Sequence, residues 1–192
     1  MIDSRPRTTY RGRIWRVVRE GRDPMQFSRA GGRWTLEETD ALYTSLDANG
    51  AVAEIHFRWW QVEPVPPSRI QAKLHELTIE ISDVVRFDIL DELVPLGVNV
   101  KEYSSLNYQR TREIGEATKF LGANALIAPN ARWPCLNLIA YSLKNLDSLQ
   151  ILDAHLVDWD KWRAETRLIR RTKAGAREAD LKENQRGRYL KA

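Results

Sequence analysis

The chain has 192 residues, enough for one domain with its own core, and its hydrophobic and charged fractions, 43% and 29%, are those of a globular protein. No apolar run reaches the roughly 20 residues of a membrane span, and the N-terminal MIDSRPRTTYRGR carries positive charge without an apolar stretch behind it, so a cytoplasmic location and no membrane partner are expected. The net charge of +4 is a tail effect: ten of the 30 Lys and Arg and four of the 26 Asp and Glu fall in residues 163–192, leaving 20 basic and 22 acidic residues ahead of them. A body that binds nucleic acid needs a basic face within its fold, and this one is near neutral, so no direct nucleic-acid contact is expected. Cys135 is the single cysteine, which rules out an internal disulfide.

Taken in order, RIWRVV (13–18) reads as a strand. Ile14 and Val18 suit a half-buried pleated surface, and Arg16 shares their side, where a guanidinium calls for an acidic or phosphate partner. EGRDPMQFSRAGGRW is rich in turn formers, and Gly31-Gly32 frees the backbone just ahead of Arg33. ALYTS (41–45) is a short strand. The helix after it is capped by Asp47 or Asn49 and carries Ala51, Val52, Ile55 and Trp59 at helical spacing. Glu54 lies at the edge of that stripe, where a carboxylate either faces solvent or lines a pocket. VEPVPPS ends the helix, because proline lacks the amide donor and restricts its predecessor.

ELTIEIS (76–82) alternates cleanly, with Leu77, Ile79 and Ile81 on one side. Residues 84–96 read as a loop with a helical turn, and 106–121 as a helix stopped by Gly122. NALIAP and LNLIAYS are buried strands flanking NARWPC; LQILDAHLVD is a last strand and WDKWRAETRLIRR a final helix. Strands mixed with helices, without steady βαβ alternation, predict an α+β fold. The domain is placed at residues 1–172 and a basic C-terminal tail at 173–192.

The residues exclude several chemistries. His56, His75 and His155 are far apart and none has a second ligand at metal spacing, so no metal is expected. Neither glycine-rich phosphate-loop pattern occurs. Cys135 follows Pro134 and precedes an apolar run, which suits a small buried hydrophobe, and Trp59 and Trp60 suit packing. Arg16, Arg33, Tyr43 and Glu54 remain.

YRGRIWRVV, the GRW at 32–34, LYTS followed by the Ala-rich helix carrying Glu54, and GANALIAPNARWPCLNLIAY resemble, in order and spacing, the RES-domain toxins of RES–Xre toxin–antitoxin pairs over most of residues 11–160. The resemblance implies a fold like that of ADP-ribosyltransferase toxins, with mixed and antiparallel sheets forming a split core flanked by helices. It implies NAD+ as co-substrate and an Xre-like helix-turn-helix antitoxin that binds DNA and blocks the active site. ADP-ribose then goes to a protein such as ribose-phosphate pyrophosphokinase, or NAD+ is degraded by hydrolysis or phosphorolysis. A binding protein that no longer turns over is the competing reading. The basic tail is a candidate docking segment for the antitoxin or for a second copy of the chain in a homodimer.

For the site, the resemblance implies that Arg33 and Arg16 bind the diphosphate, whose oxygens suit the planar guanidinium fork. Tyr43 stacks on the nicotinamide or orients its ribose. Glu54 steadies the positive charge that develops on the ribose as the bond to nicotinamide breaks. The predicted catalytic set is therefore Glu54, Tyr43 and Arg33, and the predicted NAD+-binding set Arg16, Arg33, Tyr43 and Asn130. Asn130 stands where the family has the serine of its APxAR motif. An amide keeps hydrogen bonds but gives no hydroxyl proton, and this departure favours transfer to a protein.

Overall fold

Two long strands, rich in β-branched and aromatic residues, set the frame. In the computed structural model, which describes residues 2–62, 69–141 and 149–167, β1 (Thr8–Arg19) and β3 (Ala72–Arg86) pair antiparallel, from Arg19 opposite Ala72 to Thr8 opposite Val84. Leu77, Ile79 and Ile81 are buried, as their alternation predicts. The strand at 76–82 is longer than its alternating stretch. Asp83, at φ 53°, takes up a register shift against β1, and residues 84–86 then continue as strand beside β4 rather than as loop. The helical turn read after it is a 3₁₀ segment at Leu90–Leu96.

β4 (Ala125–Pro129) and β5 (Leu136–Ala140) are almost wholly buried, which suits their unbroken apolar runs. β4 lies parallel to the end of β3 and antiparallel to β5. β5 pairs with β2 (Leu42–Ser45), and β2 returns to β1 through one pair, Trp15 opposite Ser45. Five strands thus close a ring with one weak seam, and β6 (Gln150–Leu156) extends it beyond β3. The fold is α+β, with a mixed sheet and few helices.

Helix α1 (Ala48–Val62) starts on Asp47, whose Oδ1 accepts the Gly50 amide at 2.9 Å, and it buries Ala51, Val52, Ala53 and Trp59. Helix α2 (Gln109–Phe120) begins three residues later than its sequence signal. Ser105 and Asn107 first bind the amides of Asn107 and Gln109 in local turns. It ends, as expected, at Gly122, with φ 81°. One core cluster holds Trp34, Phe87, Leu93, Ile114, Leu126 and Ile139; another holds Ile14, Leu42, Leu77, Ile79, Ile127 and Leu138.

Contacts divide the chain into two compact units, residues 1–156 and 157–192. In the second, residues 159–167 are helical and the rings of Trp159 and Trp162 meet edge-on. The tail at 173–192 lies outside the described residues. No described helix is long and apolar enough to cross a membrane.

Gly115 of α2 sits against the backbone carbonyl of Trp34, with no room for a side-chain carbon between them. Gly115→Ala should therefore cost about 1–3 kcal/mol through overpacking, a fall of roughly 3–10 °C in melting temperature. Thermal denaturation checks this, and an unchanged midpoint would mean that α2 is not seated on that loop.

Candidate active site

At the weak seam the two strands part, and a cleft of about 780 Å³ occupies the gap, lined by Trp15 to Arg19 of β1 and Tyr43 to Ser45 of β2. Its size falls within the roughly 300–1,000 Å³ of small-molecule sites. Helix α1 adds Glu54 and Arg58, α2 adds Arg112, and the segment from Arg22 to Trp34 closes another side. Arg16, Arg33, Tyr43 and Glu54, distant in sequence, all line this one cleft.

The strip Gly31–Thr35 is clamped from three directions. Arg58 donates to the Gly31 carbonyl at 3.3 Å and Arg112 to the Gly32 carbonyl at 2.9 Å. From β2, the Tyr43 hydroxyl accepts the Trp34 amide at 3.1 Å and lies 2.9 Å from the Thr35 hydroxyl. The Tyr43 ring packs so closely on Gly32 that a side-chain carbon there would meet it at 2.6 Å. With its hydroxyl committed to the loop, Tyr43 also lines the cleft. Arg33 projects from the clamped strip between the rings of Tyr103 and Tyr108, 4.7 and 4.5 Å from their centroids, and donates to the Ser105 carbonyl.

Arg16 departs from expectation. Its partners are the carbonyls of Pro24 and Gln26, at 2.7 and 2.8 Å, rather than an acid. Burial pushes its pKa down to about 10, against a smaller pull from Asp23, so it stays charged at neutral pH. Seven arginines line the cleft (16, 19, 22, 29, 33, 58 and 112) against two carboxylates, Asp23 and Glu54. Arg16, Arg33, Arg58 and Arg112 are all anchored on backbone carbonyls. Neutral acceptors satisfy their geometry without pairing their charge to an acid.

Glu54 is half-buried and gripped from behind. Its Oε1 accepts the Ala131 amide at 3.2 Å and the Asn137 side-chain amide at 3.3 Å, which leaves Oε2 for the cleft. Nearby, the Arg132 guanidinium lies 3.2 Å from the centre of the Phe57 ring. Burial lowers its pKa, with Glu54 opposing and Arg33 reinforcing that effect. Among the described residues, no three His, Cys, Asp or Glu side chains form a metal-ligand group.

Asn130 does not line the cleft. Its Nδ2 reaches Asn137 Oδ1 at 2.8 Å, Ser45 Oγ and the Gly50 carbonyl, and its Oδ1 accepts the amides of Arg132 and Trp133. Cys135 stands in the same region, and burial, with smaller contributions from Asp47 and Glu54, pushes its thiol up to about 12, which keeps it un-ionised. Of the Trp59–Trp60 pair, only Trp59 is buried; Trp60 is exposed and stacks on His56.

Three further residues matter here: Arg58, Arg112 and Asn137. Arg58 could have been found, since it follows Glu54 by four positions and so shares its helix face. Asn137 is a polar interruption in an apolar strand, a weaker sign. Nothing local to α2 marks Arg112.

A family model described as the RES domain matches residues 13–165. The chain belongs to the RES domain family. Its fold is similar to one in a solved structure, that of the M. tuberculosis MbcT–MbcA toxin–antitoxin complex. The TM-score is 0.70 over 85% of this chain and 93% of the other, at 18% identity. No curated protein matches the chain.

The buried phenols of this RES domain make it sensitive to alkali. Burial pushes Tyr43 up to about 12, and raises Tyr103 and Tyr141 as well, whereas unfolded tyrosine ionises near 10. The folded state thus holds these protons more tightly. Its advantage is complete below about pH 10 and is lost as pH rises through the folded value, about 12 for Tyr43. Melting temperature should fall over that window, with tyrosinate absorbance lagging behind that of the unfolded chain; coincident titrations would contradict the burial.

Proposed function

We propose that the cleft binds NAD+ and breaks its bond to nicotinamide, and that the chain is the toxin of a toxin–antitoxin pair. The observation that carries this is a set of four cleft arginines held on neutral carbonyls, in a cleft that also holds one pre-oriented carboxylate. A pyrophosphate dianion suits the first feature and an electron-poor sugar the second. The cleft volume also suits a dinucleotide.

In this reading NAD+ supplies a ribose that becomes positively charged as nicotinamide departs. Arg33, rigid between its two rings, holds the diphosphate, with Arg16 across the cleft and Arg58 and Arg112 adding field from behind the loop. Oε2 of Glu54 faces the ribose and steadies its charge, because Oε1 is already bound and the carboxylate cannot turn away. The Tyr43 ring packs the nicotinamide half and keeps water off it. Cys135 has no part in this as a nucleophile, since its thiol stays protonated.

ADP-ribose transfer to a protein such as ribose-phosphate pyrophosphokinase is implied by the family resemblance, and Asn130 in place of serine favours it further only as a pocket residue. Asn130 lies behind the pocket wall, so this ground falls away. The cleft supports NAD+ cleavage itself, with protein, water or phosphate as acceptor. An antitoxin that covers the cleft, of the Xre helix-turn-helix type, belongs to the same reading; the solved complex of similar fold is a toxin–antitoxin pair.

Purified protein incubated with NAD+ should release nicotinamide. Glu54→Ala should lower kcat by about 10²–10³-fold, and Arg33→Ala should raise KM by roughly 10–100-fold. Mass spectrometry on lysate proteins separates a shifted protein mass from free ADP-ribose or its phosphate. No nicotinamide release from the unaltered protein, or equal release from Glu54→Ala, would overturn the proposal.

A further inference from the structure

The geometry points to Asn130 as the residue that positions Glu54, acting through Asn137 and Ala131 without touching what the cleft holds. This rests on the reading of Glu54 as the carboxylate that faces the sugar.

A side-chain amide has a donating and an accepting end, and a half-turn exchanges them. Asn137 must present its NH2 to Glu54, because the reverse orientation would set its carbonyl oxygen against a carboxylate. Its Oδ1 receives Asn130 Nδ2 at 2.8 Å and also contacts the Ser45 hydroxyl. A hydroxyl rotates to serve either orientation of Asn137, so Ser45 selects neither. The NH2 of Asn130 can only donate, so it does select.

Asn130 is itself fixed by groups that cannot turn. Its Oδ1 accepts the backbone amides of Arg132, at 2.7 Å, and Trp133, at 2.9 Å. Its own amide donates to the Cys135 carbonyl and closes the loop. Direction therefore passes from backbone to Asn130, from Asn130 to Asn137, and from Asn137 to Glu54 Oε1. The same turn presents the Ala131 amide to that oxygen. Both donors that hold Glu54 thus depend on one buried side chain, 8% exposed. Asn130 is a positioning residue rather than a catalytic one.

Asn130→Asp tests this, since it keeps the acceptor that builds the turn and removes the NH2 that orients Asn137. Nicotinamide release should show kcat lower by about 100-fold, the scale of a misplaced catalytic group, with KM within about threefold. In a Glu54→Ala background the same substitution should cost less than about threefold more, because residues acting as one unit are not additive. The Asn137 side-chain amide, followed by NMR, should exchange slowly in the unaltered protein and quickly in Asn130→Asp. Asn130→Ala, a neutral truncation, carries the same measurements and the same expected directions if the aspartate variant does not fold. Additive losses, a rise in KM without a fall in kcat, or an Asn137 amide indifferent to position 130 would overturn the assignment. The NMR arm needs no turnover, so a protein that leaves NAD+ intact would defeat the proposed function while the relay was still judged on exchange alone.

Discussion

Five residues of irregular backbone, Gly31 to Thr35, are where this molecule is held together for function. Their carbonyls are taken by guanidinium groups from two helices, the Trp34 amide by the Tyr43 phenol of β2, and the Trp34 carbonyl rests on Gly115 of α2. β1 and β2 share only the Trp15–Ser45 pair, so the sheet alone would hold the seam weakly. The clamp does this instead. It lets the ring of strands stay parted, with a cleft in the gap, while the residues around the gap remain fixed. Arg33 is rigid because its backbone is clamped and its side chain lies between two tyrosines.

The clamp also explains how so many arginines coexist. Guanidinium groups gathered in one cleft repel one another, and the usual remedy is a matching set of acids. Here the hydrogen bonds go mainly to carbonyls. These relieve desolvation without cancelling charge, which leaves a positive field for an anion. Arg29 differs from these: it pairs with Asp40 through two bonds, and its charge is correspondingly spent. Against this field one of the two cleft carboxylates, Glu54, is held by two amide donors. Guanidinium groups and one oriented carboxylate thus share a single space.

Much of this was legible in the sequence. Periodicity placed each strand and both main helices, since buried apolar runs and the 3.6-residue stripe follow directly from burial. The edges were read less well. Asp83 in a left-handed conformation carries β3 on for three residues, and side-chain caps at Ser105 and Asn107 delay α2; neither follows from hydrophobic pattern. In the cleft, Arg16, Tyr43 and Glu54 stand on elements that periodicity places, Arg33 stands on the glycine-freed loop, and it is the family resemblance that groups the four. Asn130 did not join them. Its motif suggested the site, but its hydrogen bonds run inward, and only three-dimensional pairing with Ser45, Gly50 and Asn137 reveals that. The charge of the cleft was hidden as well, because a body near electrical neutrality can still sort its charges into one cavity.

The most direct test is a crystal structure of the Glu54→Gln protein with NAD+, in which slowed turnover preserves the dinucleotide. The account predicts the pyrophosphate against Arg33 and its neighbouring guanidinium groups, and the nicotinamide ribose beside the side chain at position 54. A dinucleotide bound elsewhere on the molecule, or one whose ribose lies on the far side of the cleft from that side chain, would contradict it.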